Sequence, residues 1–387
     1  MKVAIEKMEW VYAEPTVLLR IVNRVAIITL NRPQALNALS HHMVKALSDL
    51  LRRCRIDDGI VAVVLEAAGE KAFCAGGDVR ELYQRARKND QAWLQFFVDE
   101  YRLDYALHKF PKPVVAILDG VTMGGGMGLA QGAWLRVVTE RTRMAMPEAR
   151  IGLIPDVGAT SFMTKMPIEV ALYFALTGAS LNGADALMWN LADLHVSSEW
   201  LSTFEERLMA VPPSNLDPSF PDRLKRALRE VFDAGASHAG RAPTRTLAPL
   251  IKCFFDPRMR IENIVGKLKD RVAINKGSEA AQWIETTVTA LEQHSPTMLY
   301  VTREMMLRGR CASLGSCFRM ELGCVSKAIN DGDFVEGVRA HLVDKDRKPR
   351  WAPASVWEVR PERVQYFLAS PWRVDEHPLR DIEILHP

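Results

Sequence analysis

Two acidic residues that each follow a proline could do acid–base chemistry. Glu148 follows Pro147 in MAMPEARIG, and Asp156 follows Pro155 in GLIPDVGAT. Both lie among apolar residues, and a carboxyl group removed from water has a raised pKa, which suits proton transfer near neutral pH. Taken singly, a Glu after Pro is also typical of a helix N-terminus, and Asp156 could cap the helix that follows it.

Two glycine-rich stretches precede these acids, and each comes directly after an apolar run that predicts a strand. KAFCAGGDVR occupies residues 71–80, and MGGGMGLA occupies residues 123–130. The second fits a loose dinucleotide pattern, but that fingerprint belongs at the first strand, and no Gly-Lys-Ser/Thr follows. Two interpretations remain: close packing of a helix on a sheet, or free N–H groups that bind developing negative charge, as in an oxyanion hole. An oxyanion hole needs two donors, and CAGG is the natural second source.

Other catalytic chemistries have little support in the sequence. No GxSxG motif is present, none of the nine His residues lies in these segments, and the six cysteines form no CxxC pair. Cys74 lies inside FCAGG, but no His is nearby in sequence, so we interpret it as a small loop residue rather than a nucleophile. We therefore expect neither a metal nor a redox cofactor.

The candidate residues must be positioned by the strands and helices that alternate in the first half of the chain. TVLLRIVNRVAIITLNRP predicts two strands with a turn at Asn23, HHMVKALSDLLRRC predicts a helix, and VAVVLEA, VVAIL and LRVVT predict three further strands. This alternation predicts an α/β fold with largely buried strands. Four prolines within residues 211–222 predict a linker. We expect one domain at 1–210 and a mainly helical region at 211–387, with an ordered Pro- and Trp-rich tail.

The composition of the 387 residues limits the partners that we expect. Hydrophobic residues make up 48%, and 50 basic against 47 acidic residues leave a net charge of +3, which gives no support to nucleic-acid binding. No apolar run reaches the length of a membrane span, so we expect no membrane association. Residues 1–15 contain no signal-peptide core and carry acids early, which argues against a transit peptide, so we expect a cytoplasmic protein.

Four motifs together resemble the crotonase superfamily, which is also called the enoyl-CoA hydratase/isomerase family. They are ITLNRPQALNAL, KAFCAGGDVR, GVTMGGGMGLA and MPEARIGLIPDVGAT. The resemblance covers about residues 16–360 and implies a crotonase-like spiral of ββα turns followed by helices. It also implies an acyl-CoA substrate, no separate cofactor, and backbone N–H groups of Ala75 and Gly125 that hold the thioester carbonyl. Further substrate contacts are implied for Gly76, Gly77, Asp78 and Gly124.

Within the superfamily, the acidic residues are more similar to the 3-hydroxyisobutyryl-CoA hydrolases. Hydratases carry a glutamate two residues after the glycine run, where this chain has Gly128, whereas the hydrolase motifs MPE and PDVG both match. FFVDEYRLDYAL and residues 333–353 resemble two further hydrolase stretches. The resemblance implies that Glu148 activates water or attacks the thioester, and that Asp156 orients water or shares proton transfer. It implies that Glu100 contacts the acyl hydroxyl, although Glu100 taken alone could lie on a solvated helix face.

The expected reaction is hydrolysis of a short β-hydroxyacyl-CoA, with 3-hydroxyisobutyryl-CoA of valine breakdown as the expected substrate. An enoyl-CoA hydratase or isomerase that uses the same acids differently is the alternative among enzymes. A non-catalytic acyl-CoA-binding protein is the alternative of another class, although the two intact acids argue against it. Crotonase relatives often form trimers, so a homo-oligomer is also considered.

Overall fold

The structure is a computed structural model, and it describes residues 10–11, 16–88, 90–274 and 279–384. The N-terminal stretch 1–15, for which we predict no signal or transit peptide, lies outside the described residues apart from residues 10–11. Among the described helices, none combines the length and the apolar character that crossing a bilayer requires.

Strands occur in the first half of the described residues, and helices occur throughout. The strands are β1 Trp10–Val11, β2 Val17–Val22, β3 Val25–Leu30, β4 Ala62–Ala67, β5 Ala72–Cys74, β6 Val114–Leu118, β7 Val121–Met123, β8 Leu135–Val138, β9 Arg143–Ala145, β10 Leu181–Asn182 and β11 Leu194–His195. The helices up to residue 210 are α1 His41–Ile56, α2 Val79–Arg87, α3 Ala92–His108, α4 Gly125–Gln131, α5 Ala159–Phe162, α6 Ile168–Thr177, α7 Gly183–Met188 and α8 Phe204–Ala210. The later helices are α9 Pro221–Asp233, α10 Pro243–Phe254, α11 Ile261–Ile274, α12 Glu279–Gln293, α13 Pro296–Gly309, α14 Leu314–Asn330, α15 Phe334–Val338 and α16 Pro361–Leu368.

The chain forms two compact units whose segments alternate along the sequence. The first unit comprises Met1–Gly77, Ala106–Met144 and Leu181–Ala242. The second comprises Asp78–Tyr105, Ala145–Ser180 and Pro243–Pro387. This division differs from the one predicted from the sequence, a domain at 1–210 followed by a region at 211–387, which stays a prediction.

The first unit is built on two sheets, and its larger sheet confirms the predicted strands. Among the described residues, the larger sheet has the order β1-β2-β3-β4-β6-β8-β11, in which β3 to β11 run parallel. The hairpin of β2 and β3 turns at Asn23 and Arg24, which both have positive φ, as the predicted turn requires. β6 is apolar and buried along its whole length, and β4 is so up to Leu65, because parallel strands are covered on both faces.

The smaller sheet of the first unit positions the two glycine-rich stretches. Its order is β10-β9-β7-β5, with β5 parallel to β7. β5 leads into CAGG and β7 leads into MGGGMG. Since parallel strands end at the same edge of a sheet, both glycine-rich turns begin at one edge, as predicted from the sequence.

The proline-rich segment 211–222 packs on the first unit instead of separating two domains. Leu216 is fully buried in the core that faces the larger sheet. The Asn23 amide donates hydrogen bonds to the carbonyl oxygens of Leu208 and Val211 at 2.8 and 2.9 Å. The prolines do end α8, and the apolar residues between them anchor the segment within the first unit.

The second unit is helical, and the chain after residue 210 contains helices but no named strand among its described residues. This confirms the predicted helical C-terminal region. The Pro- and Trp-rich tail is ordered in the way that its aromatic content predicts. Trp351 is buried, and its indole N–H donates to the carbonyl oxygen of Gln293 at 3.0 Å.

Candidate active site

Two turns that contain glycine approach each other closely in the first unit. A Cβ atom added to Gly76, whose φ is +97°, would lie 3.2 Å from the carbonyl oxygen of Met123 and 3.5 Å from the amide nitrogen of Gly125. A Cβ atom added to Gly126 would lie only 2.3 Å from the carbonyl oxygen of Cys74. Glycine is therefore needed at both positions because the backbones of the two turns are in direct contact.

The turn at Gly124 presents the N–H group of Gly125 as a donor. Gly124 has φ +49° and precedes the first residue of α4, which is Gly125. The first N–H groups of a helix have no acceptor within that helix, so the N–H of Gly125 is free to bind an external oxygen. The start of α4 is compatible with the donor role predicted for Gly125, and that role and the substrate contact of Gly124 stay predictions.

The predicted second donor, Ala75, is engaged elsewhere. Its N–H group donates to the carbonyl oxygen of Leu36 at 3.0 Å. A substrate oxygen would have to break this bond, so the assignment of Ala75 as a free donor is wrong in this structure. The sequence motif shows which turn supplies a donor, but only the hydrogen bonds show which N–H group of that turn is occupied. Gly76 and Gly77 follow in the same turn, and the Gly76 carbonyl accepts the N–H of Leu39 at 2.8 Å.

Glu148 begins a short 3₁₀ turn, Glu148–Ile151, in the second unit. The turn is tied to the C-terminal region, because the N–H of Ser295 donates to the carbonyl oxygen of Ala149 at 3.1 Å. The Ser295 hydroxyl in turn donates to Asp333 at 2.6 Å. Asp333 opens the 333–353 stretch noted in the sequence, so that stretch supports the backbone next to Glu148.

The carboxyl group of Glu148 is buried and incompletely hydrogen-bonded. Its Oε2 atom is out of contact with solvent and has no hydrogen-bond partner among the described residues. Burial, with a smaller contribution from the negative charge of Asp156, raises the pKa of Glu148 well above its ordinary value. A buried carboxyl group with a raised pKa is suited to taking up and releasing a proton during a reaction.

Asp156 is also buried, and a tyrosine defines the position of its carboxyl group. The Tyr101 hydroxyl, on α3, donates to Oδ2 of Asp156 at 2.6 Å. Burial raises the pKa of Asp156 to about 6, although the hydrogen bond from Tyr101 lowers it. Asp156 does not cap the next helix, because Gly158 occupies the cap position of α5. The alternative interpretation of Asp156 as a helix cap is therefore wrong.

Glu100 and Asp104 lie one helical turn apart on α3 and add two further carboxyl groups. Glu100 is 2% exposed and Asp104 is 0% exposed, so the solvated-face alternative for Glu100 is wrong. Oε1 of Glu100 and both carboxyl oxygens of Asp104 lack hydrogen-bond partners among the described residues. Burial raises the pKa of both groups well above the ordinary values, and the charge of Asp156 raises them further.

A fifth carboxyl group of the second unit belongs to Glu321, on α14. Glu321 is fully buried and accepts hydrogen bonds from the N–H groups of Gly158 and Thr160 at 2.8 and 2.9 Å. Burial raises its pKa to about 8. The second unit therefore holds five buried carboxyl groups that interact electrostatically: Glu100, Asp104, Glu148, Asp156 and Glu321.

Sequence reasoning missed Tyr101, Asp104 and Glu321. Asp104 could have been noticed, because it lies four residues after Glu100 in a largely apolar helix and so shares its face. Glu321 gave no comparable signal, since its hydrogen-bond partners are more than 150 residues away in the chain.

The remaining predicted contact, Asp78, has a structural role in the second unit. It caps α2, where its side chain accepts the N–H of Glu81 at 3.4 Å. Among the described residues, no three His, Cys, Asp or Glu side chains are arranged to hold a metal ion.

The amino-acid sequence matches the enoyl-CoA hydratase/isomerase family over residues 25–368. This match spans most of the chain, including every residue of the candidate site. The chain belongs to the enoyl-CoA hydratase/isomerase family. The family resemblance inferred from the four motifs is thus confirmed.

The proteins similar to this chain include several 3-hydroxyisobutyryl-CoA hydrolases. It is 34% identical to 3-hydroxyisobutyryl-CoA hydrolase 1 of Arabidopsis thaliana over 371 residues, which cover 94% of each chain. It is 37% identical to the protein of Gallus gallus named "3-hydroxyisobutyryl-CoA hydrolase, mitochondrial" over 354 residues, which cover 90% of this chain and 87% of the relative.

The fold of this family member matches solved structures along nearly its whole length. The crystal structure of a carnitinyl-CoA dehydratase from Mycobacterium thermoresistibile superposes with a TM-score of 0.83 at 33% sequence identity. The match covers 95% of this chain and 99% of the other. The predicted fold, a crotonase-like α/β core followed by a helical C-terminal region, is confirmed.

Proposed function

We propose that this protein hydrolyses the thioester bond of a short β-hydroxyacyl-CoA, with 3-hydroxyisobutyryl-CoA as the preferred substrate. The main supporting observation is the pair of buried carboxyl groups, Glu148 and Asp156, whose pKa values burial raises above the ordinary values. The chain also has Gly128 where family hydratases carry a glutamate. The Arabidopsis and Gallus relatives, both named as hydrolases of this thioester, support the choice of substrate.

Attack on the thioester places negative charge on its carbonyl oxygen, and backbone N–H groups stabilise that charge. We assign one donor to Gly125 because it begins α4. We assign the second to Gly77 in place of Ala75, whose N–H is bonded to Leu36. Loss of one such donor reduces the rate by roughly 10²- to 10³-fold in comparable sites.

Proton transfer is the role proposed for Glu148 and Asp156. In the general-base route, the Glu148 carboxylate removes a proton from water as the water oxygen bonds to the carbonyl carbon. The carbon–sulfur bond then breaks, and the proton passes to the coenzyme A thiolate. Asp156, held by Tyr101, orients the water or shares the proton, and the two carboxyl groups titrate as a coupled pair.

A covalent route uses the same residues differently. Glu148 attacks the carbonyl carbon, and the carbon–sulfur bond breaks to release coenzyme A as the thiolate. Water then hydrolyses the mixed anhydride, which regenerates the Glu148 carboxylate and supplies the proton that converts the thiolate to the thiol. Single turnovers in H₂¹⁸O, followed by mass spectrometry of the Glu148 peptide, detect the covalent route in which water attacks the glutamyl carbonyl. Attack of water on the glutamyl carbonyl of an anhydride leaves ¹⁸O in that peptide, whereas the general-base route leaves the peptide unlabelled.

The hydroxyl group of the acyl chain is the proposed ligand of Glu100. Oε1 of Glu100 is buried without a partner among the described residues, so it can accept a hydrogen bond from that hydroxyl. An acyl group without a hydroxyl leaves this oxygen unpaired, and leaving a buried polar atom unpaired lowers affinity. We therefore propose that a β-hydroxyl is part of the specificity.

Thiol release from 3-hydroxyisobutyryl-CoA tests the proposed function. We expect rapid release by the wild type and a decrease of roughly 10³-fold in kcat for Glu148→Ala, because a general base supplies about that factor. Glu285→Ala, which removes an exposed glutamate of α12, is the matched control and should retain full activity. An inactive wild type that hydrates crotonyl-CoA would instead assign the protein to the hydratase branch.

The hydratase or dehydratase alternative is favoured by one observation, the TM-score of 0.83 with a structure titled carnitinyl-CoA dehydratase. It predicts a change in alkene absorbance without thiol release. The non-catalytic alternative predicts acyl-CoA binding with neither signal. Calorimetric titration with a non-hydrolysable thioether analogue, alongside the two activity assays, distinguishes all three functions.

The cellular context of the proposed reaction is the breakdown of valine. The cytoplasmic location expected from the sequence stays a prediction, and the Gallus relative bears the word mitochondrial in its name. Fractionation of the source cells tests the location. Sedimentation velocity tests the homo-oligomer considered from the resemblance.

A further inference from the structure

The turn that carries Asp156 has a backbone conformation that needs external support. Val157 has φ +52° and Gly158 has φ +87°, so two successive residues adopt left-handed conformations. Valine is β-branched and rarely populates this region, because its side chain crowds the backbone there. Such a conformation persists only where surrounding contacts fix it.

The side chain of Glu321, on α14, supplies contacts that support this turn. Its Oε2 accepts the N–H of Gly158 at 2.8 Å, and its Oε1 accepts both the N–H and the hydroxyl of Thr160 at 2.9 and 2.5 Å. Three donors from two residues of one turn thus converge on one carboxyl group. The carboxyl group is fully buried, so bulk water cannot replace these bonds.

A second residue of α14 contacts the ring of Tyr101, whose hydroxyl binds Asp156. Phe318 lies one turn before Glu321 on α14, and its ring lies 5.4 Å from that of Tyr101. A Cβ atom added to Gly158 would lie 3.1 Å from Cζ of Phe318. One face of α14 therefore contacts both the Asp156 turn and the Tyr101 ring.

We propose that Glu321 is a positioning residue for the reaction: it fixes the 156–160 turn so that the carboxyl group of Asp156 meets the Tyr101 hydroxyl. This inference rests on the proposed function. Glu321 acts through the backbone of Gly158 and Thr160, and we give it no contact with substrate. It holds Asp156 ready for proton transfer in the absence of substrate, and such pre-organisation raises kcat more than it lowers KM.

A purely structural role for Glu321 predicts a different result. In that case, its replacement lowers stability but leaves the kinetics of the folded fraction unchanged. A positioning role predicts a lower kcat in the folded enzyme and a shift in the titration of Asp156. The groups that titrate around Asp156 are Tyr101, Glu100 and Asp104 on α3, together with Glu148 and Glu321 itself.

The test compares Glu321→Gln and Glu321→Leu with the wild type and with Cys324→Ala. Gln keeps one acceptor oxygen and Leu keeps none, so the two variants form a graded pair. Cys324 is buried on the same helix and contacts the carbonyl oxygen of Phe367, so Cys324→Ala perturbs α14 away from the Asp156 turn. Near-UV circular dichroism and thermal melting establish that each variant is folded at the assay temperature. Thiol release from pH 5 to 9 gives kcat, KM and the acidic limb of the profile.

We expect kcat to decrease by about tenfold or more for Glu321→Leu and by less for Glu321→Gln, with KM within about twofold of the wild type. The acidic limb should move to higher pH, because a weaker bond from Tyr101 raises the pKa of Asp156. Cys324→Ala should leave kcat and the limb unchanged. Folded Glu321 variants with wild-type kcat and limb would overturn the proposal while leaving the hydrolase function intact.

Failure of the proposed function has a separate signature, which is a wild type that releases no thiol. In that case, a crystal structure of Glu321→Leu decides the positioning role. A displaced 156–160 turn and a lost bond between Tyr101 and Asp156 would support it, and an unchanged turn would overturn it. A variant too unstable for assay is replaced by Thr160→Val, which removes the hydroxyl donor to Glu321 and leaves the carboxyl group in place.

Discussion

Replacement of Glu321 by glutamine should change the stability of the protein in opposite directions at low and high pH. Burial raises the pKa of Glu321 from 4.5 to about 8. For a carboxyl group with a raised folded-state pKa, the stabilising contribution is complete below the unfolded-state pKa and is lost as pH rises to the folded-state pKa. Glu321 therefore contributes fully below pH 4.5 and progressively less up to pH 8. The glutamine side chain does not titrate, so its contribution to the free energy of unfolding does not change over this pH range.

The two opposing contributions can be compared in size. A shift of this size corresponds to a loss on the order of 5 kcal/mol between the two ends of the range, at about 1.4 kcal/mol per pH unit. Glutamine presents an NH₂ group to one of the donors, which costs roughly 1–2 kcal/mol at every pH. The unfolded-state carboxyl group is already partly ionised at pH 5, so the wild type should be more stable than Glu321→Gln there by at most about 1 kcal/mol. At pH 9 the variant should be more stable by roughly 3 kcal/mol.

Urea unfolding followed by tryptophan fluorescence at pH 5, 7 and 9 measures this reversal. The difference in midpoint between wild type and variant, multiplied by their common slope, gives the difference in free energy of unfolding. Titrating groups far from Glu321 affect both proteins alike and cancel. Glu285→Gln, at an exposed position of α12, is the control and should differ from wild type by a small constant amount. A wild type that stays more stable at pH 9 by the same margin as at pH 5 would refute the reasoning, because the three donors would then outweigh burial and keep Glu321 ionised.

Three further predictions concern single residues. Tyr101→Phe removes the 2.6 Å bond that lowers the pKa of Asp156, so the acidic limb of kcat/KM, expected near pH 6, should rise by roughly one unit in a pH-rate profile. Gly126→Ala places a Cβ atom 2.3 Å from a carbonyl oxygen and should lower thiol release by about 10²-fold, whereas Gly266→Ala, with nothing within 4 Å, should not. Burial raises the pKa of Asp104, so its ionisation disfavours the folded state as pH rises. In urea titrations, the gain in free energy of unfolding that Asp104→Asn gives over the wild type should therefore be larger at pH 8 than at pH 5. An equal effect of Asp104→Asn at both pH values would contradict this.

Much of the first unit could be predicted from the sequence because its information is local. The apolar residues of β6, and those of β4 up to Leu65, are buried on both faces of the sheet, as their uninterrupted hydrophobic pattern predicts. In the second unit, local sequence also predicts the burial of Glu148 and Asp156, because their neighbours in the chain are apolar. Proline content was less informative: segment 211–222 packs through Leu216, because one buried side chain between prolines is enough to anchor a segment.

The sequence by itself determined the family, the alternation of strands and helices, the two glycine-rich turns and the acids Glu148 and Asp156. Only the tertiary structure decided which N–H groups and carboxyl oxygens are already bonded. It showed that the N–H of Ala75 is bonded to Leu36, and that Tyr101 and Glu321 hold Asp156 and its turn. The physical reason is that a motif specifies residue types along the chain, whereas hydrogen bonding and burial depend on partners that folding brings from distant segments.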